Sequence, residues 1–332
     1  MAVKFSTGLP NCREGRLNPI GSVDRSWLCD VAAAADETGY HALWLNEFLE
    51  TDPNVAARFD TPPTYYDPLV TIGYLAALTK RIRFVTSTIV LPQHHPVLLN
   101  RQLVTLDVLT GGRVTLGIGL GGSAEEYRRM RGDLGAANRG QMMDEFVEAL
   151  RVLWRDDKAS FSGRYVKFDD LQSFPKPTQR PLPIFMAGEA EGALRRLARF
   201  GDGWIDTFFP PDAMREKIAQ IHGYIEEARG HDEPIEISRQ IYISLADTPE
   251  AADANMRASL PNAKPTQPAR RREGMEMNLL GTPDTVAARL KEYAAAGVSE
   301  ICAIFYSPDA KAALRQMEVF AREVIPAVTA AA

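Results

Sequence analysis

The sequence predicts one α/β domain built as a (β/α)8 TIM barrel with insertions, and three observations carry that prediction. Apolar, β-branched runs alternate with amphipathic stretches along the whole chain, so strands and helices interleave rather than segregate. The strand-like runs are apolar throughout rather than at every second position, the pattern of parallel strands buried on both faces. No shift in composition divides the 332 residues into blocks, and a single barrel accommodates that length. The expectation is one domain over residues 1–332.

Val3 to Gly8 reads as a short first strand, stopped by Pro10-Asn11. Ser22 or Asp24 can cap a helix that presents Leu28, Val31, Ala32 and Ala35 on one face and closes at Gly39. Ala42 to Leu45 forms a second strand and delivers Asn46, Glu47 and Phe48 to its carboxyl end. A long loop from Glu50 to Tyr65 leads to Asp67-Pro68, a cap and first-turn pair for a helix through Leu78.

The stretch from Lys80 to Gly122 organises the rest. Arg81 to Leu91 is a continuous apolar strand, and Pro96 opens a helix whose stripe of Leu99, Leu103, Leu106 and Leu109 stops at Gly111-Gly112. A second strand, Arg113 to Leu120, runs into Gly121-Gly122-Ser123 and a helix start at Ala124. Such a βαβ unit forces a parallel, right-handed crossover, which collects ligands at the carboxyl ends of the strands.

Met143, Phe146, Val147, Leu150, Leu153 and Trp154 then lie at helical spacing, and Phe161 to Tyr165 suggests a small inserted hairpin around Ser162-Gly163. Strands at Ile184 to Gly188, Gly203 to Asp206, Ile235 to Leu245 and Glu300 to Phe305 complete eight. Helices follow near Leu194 to Ala198, 212–229, 249–260, 283–296 and 309–324. Residues 261–280 lack periodicity and are expected to form a lid loop.

Composition narrows the function. A net charge of −5 argues against a nucleic-acid footprint, and Arg270 to Arg272, followed by Glu273, reads as a solvated loop. Neither an apolar leader nor a run of about eighteen apolar residues is present, so the expected location is the cytoplasm, with no membrane partner. Cys12, Cys29 and Cys302 show no CxxC spacing and are expected to stay unpaired, Cys29 and Cys302 as small hydrophobes. His94-His95 does not suggest a metal: neighbours on an extended segment point to opposite sides, and His41, His222 and His231 fall elsewhere.

Three strand ends carry glycine or small hydroxyl residues: Thr86, Ser87 and Thr88; Gly119 with Gly121, Gly122 and Ser123; and Ala187, Gly188 and Glu189. Glycine turns that lead into helices bind phosphate through unpaired N–H groups, although α/β loops need glycine in any case. Asn46 and Glu47 form a candidate acid/base or hydrogen-bonding pair, or equally a surface pair. Tyr127, Trp204 and Tyr306 could line an aromatic pocket or fill the core.

In order along the chain, Arg81 to Pro92, His95 to Leu99, Leu106 to Arg113, Leu116 to Gly119, Ala198 to Trp204 and Gly281 to Asp284 resemble the luciferase-like monooxygenase superfamily, and most nearly its branch that uses the deazaflavin F420. The resemblance implies a barrel, a homodimer, and F420 or FMN held at the carboxyl face. It implies a non-proline cis peptide at Ser87 and Thr88, and a phosphate-binding turn at Ala187, Gly188 and Glu189. This chain departs from luciferase-type members in having Asn46-Glu47-Phe48 where they carry an acidic residue and histidines. It has Leu120 where several FMN-using members place an arginine, and Gly122 where some sugar-phosphate-oxidising members place a glutamate. The resulting expectation is an F420-dependent oxidoreductase that moves a hydride to or from a small organic substrate, with Asn46 and Glu47 near the reactive ring carbon. The alternatives are an FMNH2-dependent monooxygenase and a flavin-binding protein without catalysis.

Overall fold

The computed structural model describes residues 3–51, 56–121, 124–134, 137–206, 209–259 and 278–330. Its strands are β1 (Lys4–Gly8), β2 (Ala42–Leu45), β3 (Arg83–Thr86), β4 (Ile89–Val90), β5 (Val114–Gly119), β6 (Ala159–Ser162), β7 (Lys167–Leu171), β8 (Ile184–Ala187), β9 (Gly203–Asp206), β10 (Glu236–Leu245), β11 (Leu279–Gly281) and β12 (Glu300–Phe305). The described helices are α1 (Arg25–Thr38), α2 (Pro68–Ala76), α3 (Pro96–Thr110), α4 (Ala124–Met130), α5 (Arg139–Arg155), α6 (Glu191–Phe200), α7 (Pro211–Arg229), α8 (Pro249–Ala258), α9 (Pro283–Ala295), α10 (Ala310–Val319) and α11 (Ile325–Thr329). Strand pairing runs β10-β12-β1-β2-β3-β5-β8-β9, with β9 returning to β10, the cyclic order of a (β/α)8 barrel. Among the described residues no helix is long and apolar enough to cross a membrane.

The chain divides into two compact units, one of residues 1–84, 205–220 and 236–332, the other of residues 85–204 and 221–235. In the first, β1 pairs in parallel with β12 and with β2, and β10 pairs with β12 and β11. Every residue of β2 and of β12 is buried, which explains their unbroken apolar runs. In the second, β5 pairs in parallel with β4 and β8, and β5 is likewise buried along its whole length.

Helix ends follow the residues that predicted them. Asp24, rather than Ser22, caps α1 by accepting from the Trp27 N–H, and Gly39 ends it at φ 83°. Asp67 accepts from the Val70 N–H with Pro68 in the first turn of α2, and Gly111 ends α3 at φ 68°.

Four features differ from the sequence expectation. The Arg81 to Leu91 run is two strands, β3 and β4, interrupted by a cis peptide between Ser87 and Thr88. The inserted hairpin is longer than Phe161 to Tyr165, because the Glu145 carboxylate accepts from the N–H groups of Arg164, Tyr165 and Val166 and so forms the turn between β6 and β7. The last helix breaks into α10, a π turn at Phe320–Val324 and α11. That turn seats the Phe320 ring against Phe5, Tyr40 and Phe305 at 5.9, 6.2 and 5.6 Å. Finally, Leu279 and Leu280 pair with β10 as part of β11, so the end of the proposed lid is strand; residues 260–277 lie outside the described residues.

Glu300 is among the polar groups inside the first unit's core. Glu300 is 2% exposed and accepts from the Ser6 hydroxyl and from Trp44 Nε1 at 3.0 Å. Burial raises its carboxyl above the ordinary 4.5, against the lowering effect of those two donors. An acid raised in the folded state stabilises most below its unfolded value and loses that contribution as pH rises through the folded one. Glu300→Gln keeps both acceptor contacts and removes the ionisation. The variant is expected to match the wild type in stability near pH 4 and to exceed it increasingly as pH rises, which urea unfolding at stepped pH would measure.

Candidate functional site

At the carboxyl ends of β1 and β2 in the first unit, a buried amide organises the backbone. The turn after β1 is a 3-10 helix, Pro10–Cys12, and it turns the Asn11 side chain wholly inward. Asn11 Nδ2 donates to the carbonyls of Asn46 at 2.8 Å and Tyr66 at 2.9 Å, and its Oδ1 accepts from the Asn46 N–H at 3.2 Å. The Asn46 peptide is thus held on both sides. Glu47, next in line, is 5% exposed rather than a surface carboxylate. Around it, the Phe48 and Tyr65 rings lie 5.3 Å apart, with the Arg16 guanidinium 4.7 Å over Phe48. Glu14, fully buried, accepts from the N–H groups of Val23 and Thr64 and ties the long loop to the segment before α1.

Cys12 lies in this cluster, with Sγ 3.3 Å from the Asn46 carbonyl. Burial pushes its thiol up to about 12, and Cys302, fully buried, is also raised. Thiolate, not thiol, is the nucleophile. In native protein at pH 8 only Cys29, which is half-buried, is expected to react with a thiol reagent, and all three cysteines after unfolding; a colourimetric thiol count under both conditions checks this.

The second unit gathers the other candidates at its own strand ends. Thr86 is buried, and its hydroxyl exchanges hydrogen bonds with the Gly117 carbonyl at 2.8 Å and N–H at 2.9 Å, so its side chain is spent within the sheet. Ser87 is buried and Thr88 half-buried. A Cβ on Gly119 would come within 2.7 Å of Thr88 Oγ1 and 3.9 Å of Ala187 Cβ, which brings the ends of β4, β5 and β8 together. Gly121 at φ 75° and Gly188 at φ 128° adopt backbone that side-chain-bearing residues rarely take, and Trp204 Nε1 fixes the second turn by donating to the Gly188 carbonyl at 3.0 Å. Gly122 and Ser123 lie outside the described residues.

Sequence reasoning missed the cation at this turn. Arg139, at the start of α5, donates to the Leu120 carbonyl at 3.0 Å and stacks 5.6 Å over Tyr127. It sits nineteen positions along the chain from the carbonyl it holds, beyond the reach of any local pattern. All three of Tyr127, Trp204 and Tyr306 are buried in the core, and the Tyr306 hydroxyl also accepts from Asn278 at 2.9 Å. Among the described residues no group of His, Cys, Asp or Glu is arranged to hold a metal ion.

A groove of about 710 Å3 in the second unit lies at the opposite, amino-terminal side of its strands. Three of its cations serve helix ends: Arg151 donates to the Phe200 carbonyl, Arg229 to those of Ala198 and Gly201, and Lys176 to those of Leu153 and Asp156. These are bonds to carbonyls that a helix terminus leaves open, and they give the groove a structural explanation.

The family model for luciferase-like monooxygenases matches residues 3–300. The chain belongs to this family. Among curated relatives, an uncharacterised Mycobacterium tuberculosis protein is 34% identical over 167 residues, half of this chain, and the chain spans 58% of that relative's length. An FMNH2-dependent dimethylsulfone monooxygenase of Pseudomonas putida is 25% identical, with 98% of this chain and 95% of that protein aligned. Of solved structures, an F420-dependent secondary alcohol dehydrogenase bound to an F420-acetone adduct superposes with a TM-score of 0.77 at 18% identity over 99% of each chain, which shows a shared fold. Proteins similar to this chain in sequence or fold thus include an FMNH2-dependent and an F420-dependent enzyme.

Proposed function

We propose that this luciferase-like protein is an F420-dependent oxidoreductase that transfers a hydride between the deazaflavin and a small organic substrate, working as a homodimer. The observation that carries the reading is the glycine-lined strand ends of the second unit, where Gly121 and Gly188 take left-handed backbone and Gly119, Gly121 and Gly188 pack so closely on Thr88, Val90 and Ala193 that a Cβ would clash. That cradle fits a phosphate-bearing cofactor. Ser87, Thr88, Gly121, Gly122, Ser123, Ala187, Gly188 and Glu189 would hold it, with Thr86 shaping the strand beneath. Bound there, the deazaflavin supplies the hydride chemistry, and the protein supplies orientation and electrostatics. Leu120 favours F420 over FMN, since it stands where several FMN-using relatives have an arginine.

Asn46 and Glu47 are assigned the polar roles beside the reactive ring carbon, with Asn11 holding the Asn46 peptide in place. Glu47→Gln preserves shape and removes the carboxylate; if Glu47 moves a proton, kcat should fall about 100-fold or more. Unchanged turnover would remove Glu47 from the mechanism. The test incubates the protein with F420 and a panel of alcohols, aldehydes and activated alkenes while the deazaflavin absorbance is followed.

A second reading is an FMNH2-dependent monooxygenase, and Arg139 favours it. Its guanidinium at Leu120 places a cation at the turn where the missing arginine would have stood. Oxygen uptake with reduced FMN distinguishes this reading, and tight cofactor binding without turnover in either assay would mark a non-catalytic flavin carrier.

A further inference from the structure

We propose that the first unit binds a single halide ion, chloride under ordinary conditions, in a buried pocket that involves neither Asn46 nor Glu47. The pocket lies among the carboxyl ends of β1 and β12 and the first turns of α1 and α10, with Arg13, Trp27 and Ser307 on its wall. Arg13 is 4% exposed, yet its Nε and Nη2 are sealed from solvent with no hydrogen-bond partner among the described residues. No carboxylate among them lies within ion-pairing distance of it, and its guanidinium lies 6.0 Å from the centre of the Tyr242 ring. A buried, uncompensated guanidinium is costly, so its charge calls for an anion.

Trp27 repeats the signal. It is 2% exposed and its Nε1 also lacks a partner among the described residues. Arginine and tryptophan can only donate, so a guest that satisfies both must accept. Ser307 adds to this, because its Oγ accepts from Gln316 Nε2 at 3.2 Å and keeps its own proton to give. The two helix starts contribute further positive potential, although Asp24 and Asp309 cap them.

Size then decides the class of anion. The cavity is small, about 20 Å3, which favours a compact, monatomic anion over a carboxylate or a phosphate. Water would fit the space but leave the guanidinium charge unbalanced. A monatomic anion meets both demands.

The experiment has two arms on the full-length protein. Thermal unfolding is followed in sodium chloride and sodium bromide against sodium gluconate at equal ionic strength, and crystals of the wild type soaked in bromide are examined for anomalous scattering. The expected results are a halide-specific rise in Tm, growing in step with ligand concentration above Kd, and a bromide peak beside Arg13. Trp27→Phe, which removes the indole N–H and keeps the ring, should shift the halide midpoint at least about fivefold to higher concentration, as loss of one donor to a charged guest would. An ordered water without bromide density beside Arg13, or a halide response unchanged in Trp27→Phe, would overturn the proposal. The crystal arm needs no variant and stands even if substitutions at Arg13 fail to fold.

Discussion

Arg239→Ala is expected to cost about 3–5 kcal/mol of folding stability, the range for removing one partner of a buried ion pair. Arg239 and Asp206 are 1% and 0% exposed in their side chains, with Nη1 and Oδ2 2.7 Å apart. The guanidinium also lies 5.2 Å over the Tyr293 ring. Truncating the arginine strands the Asp206 carboxylate in the core, and that stranded charge is the source of the cost. The pair as a whole contributes far less than the loss of half of it, because both charges lost their hydration on burial. Arg239→Met combined with Asp206→Leu is therefore expected to recover most of the loss. A double-mutant cycle read by urea unfolding midpoints measures the coupling. If the double variant were as unstable as Arg239→Ala, the cost would lie in packing rather than in unpaired charge.

Asn11→Leu carries the second large effect, about 3 kcal/mol or more, from leaving the carbonyls of Asn46 and Tyr66 and the Asn46 N–H without their side-chain partner. The leucine fills similar space, so the loss reports hydrogen bonding. Asn11→Asp sharpens the point. It retains an acceptor for the Asn46 N–H but sets a carboxylate oxygen against two carbonyls, and should be at least as destabilising as the leucine. Thermal unfolding of the two variants compares them directly; an Asn11→Asp protein as stable as the wild type would show that the amide's donors do not hold this turn. On the functional side, loosening the Asn46 peptide should lower turnover by F420 more than affinity for it.

The barrel was legible in the sequence because parallel strands buried on both faces print themselves as unbroken apolar runs, as in β2, β5 and β12. Helix ends were legible for a similar reason: Gly39 and Gly111 occupy left-handed backbone, and Asp24 and Asp67 accept from the first turns they precede. β11 was not, because three residues paired to a neighbour carry no period of their own. Nor does hydrophobicity reveal the interruption at Ser87-Thr88, since the residues on both sides are equally buried; the family resemblance, not the pattern, pointed to it.

The candidate site was legible as residues at strand ends, while the contacts that support them were hidden. Asn46, Glu47 and the glycine turns stand at strand ends, where a barrel places its chemistry. Asn11 looked like a strand terminator, and its role emerges only from partners 35 and 55 residues away in sequence. Arg13 was equally silent, since nothing local distinguishes a buried arginine from a solvated one. Such residues act through contacts that the fold creates.

Whether the glycine-lined turns hold a deazaflavin is tested by a side-by-side titration of the purified protein with F420 and FMN followed by fluorescence. Micromolar or tighter binding of F420 is expected, with FMN weaker by about tenfold or more, which is about 1.4 kcal/mol. FMN binding as tightly as F420, or more tightly, would contradict that expectation, and would make Arg139 rather than Leu120 the residue that decides the cofactor.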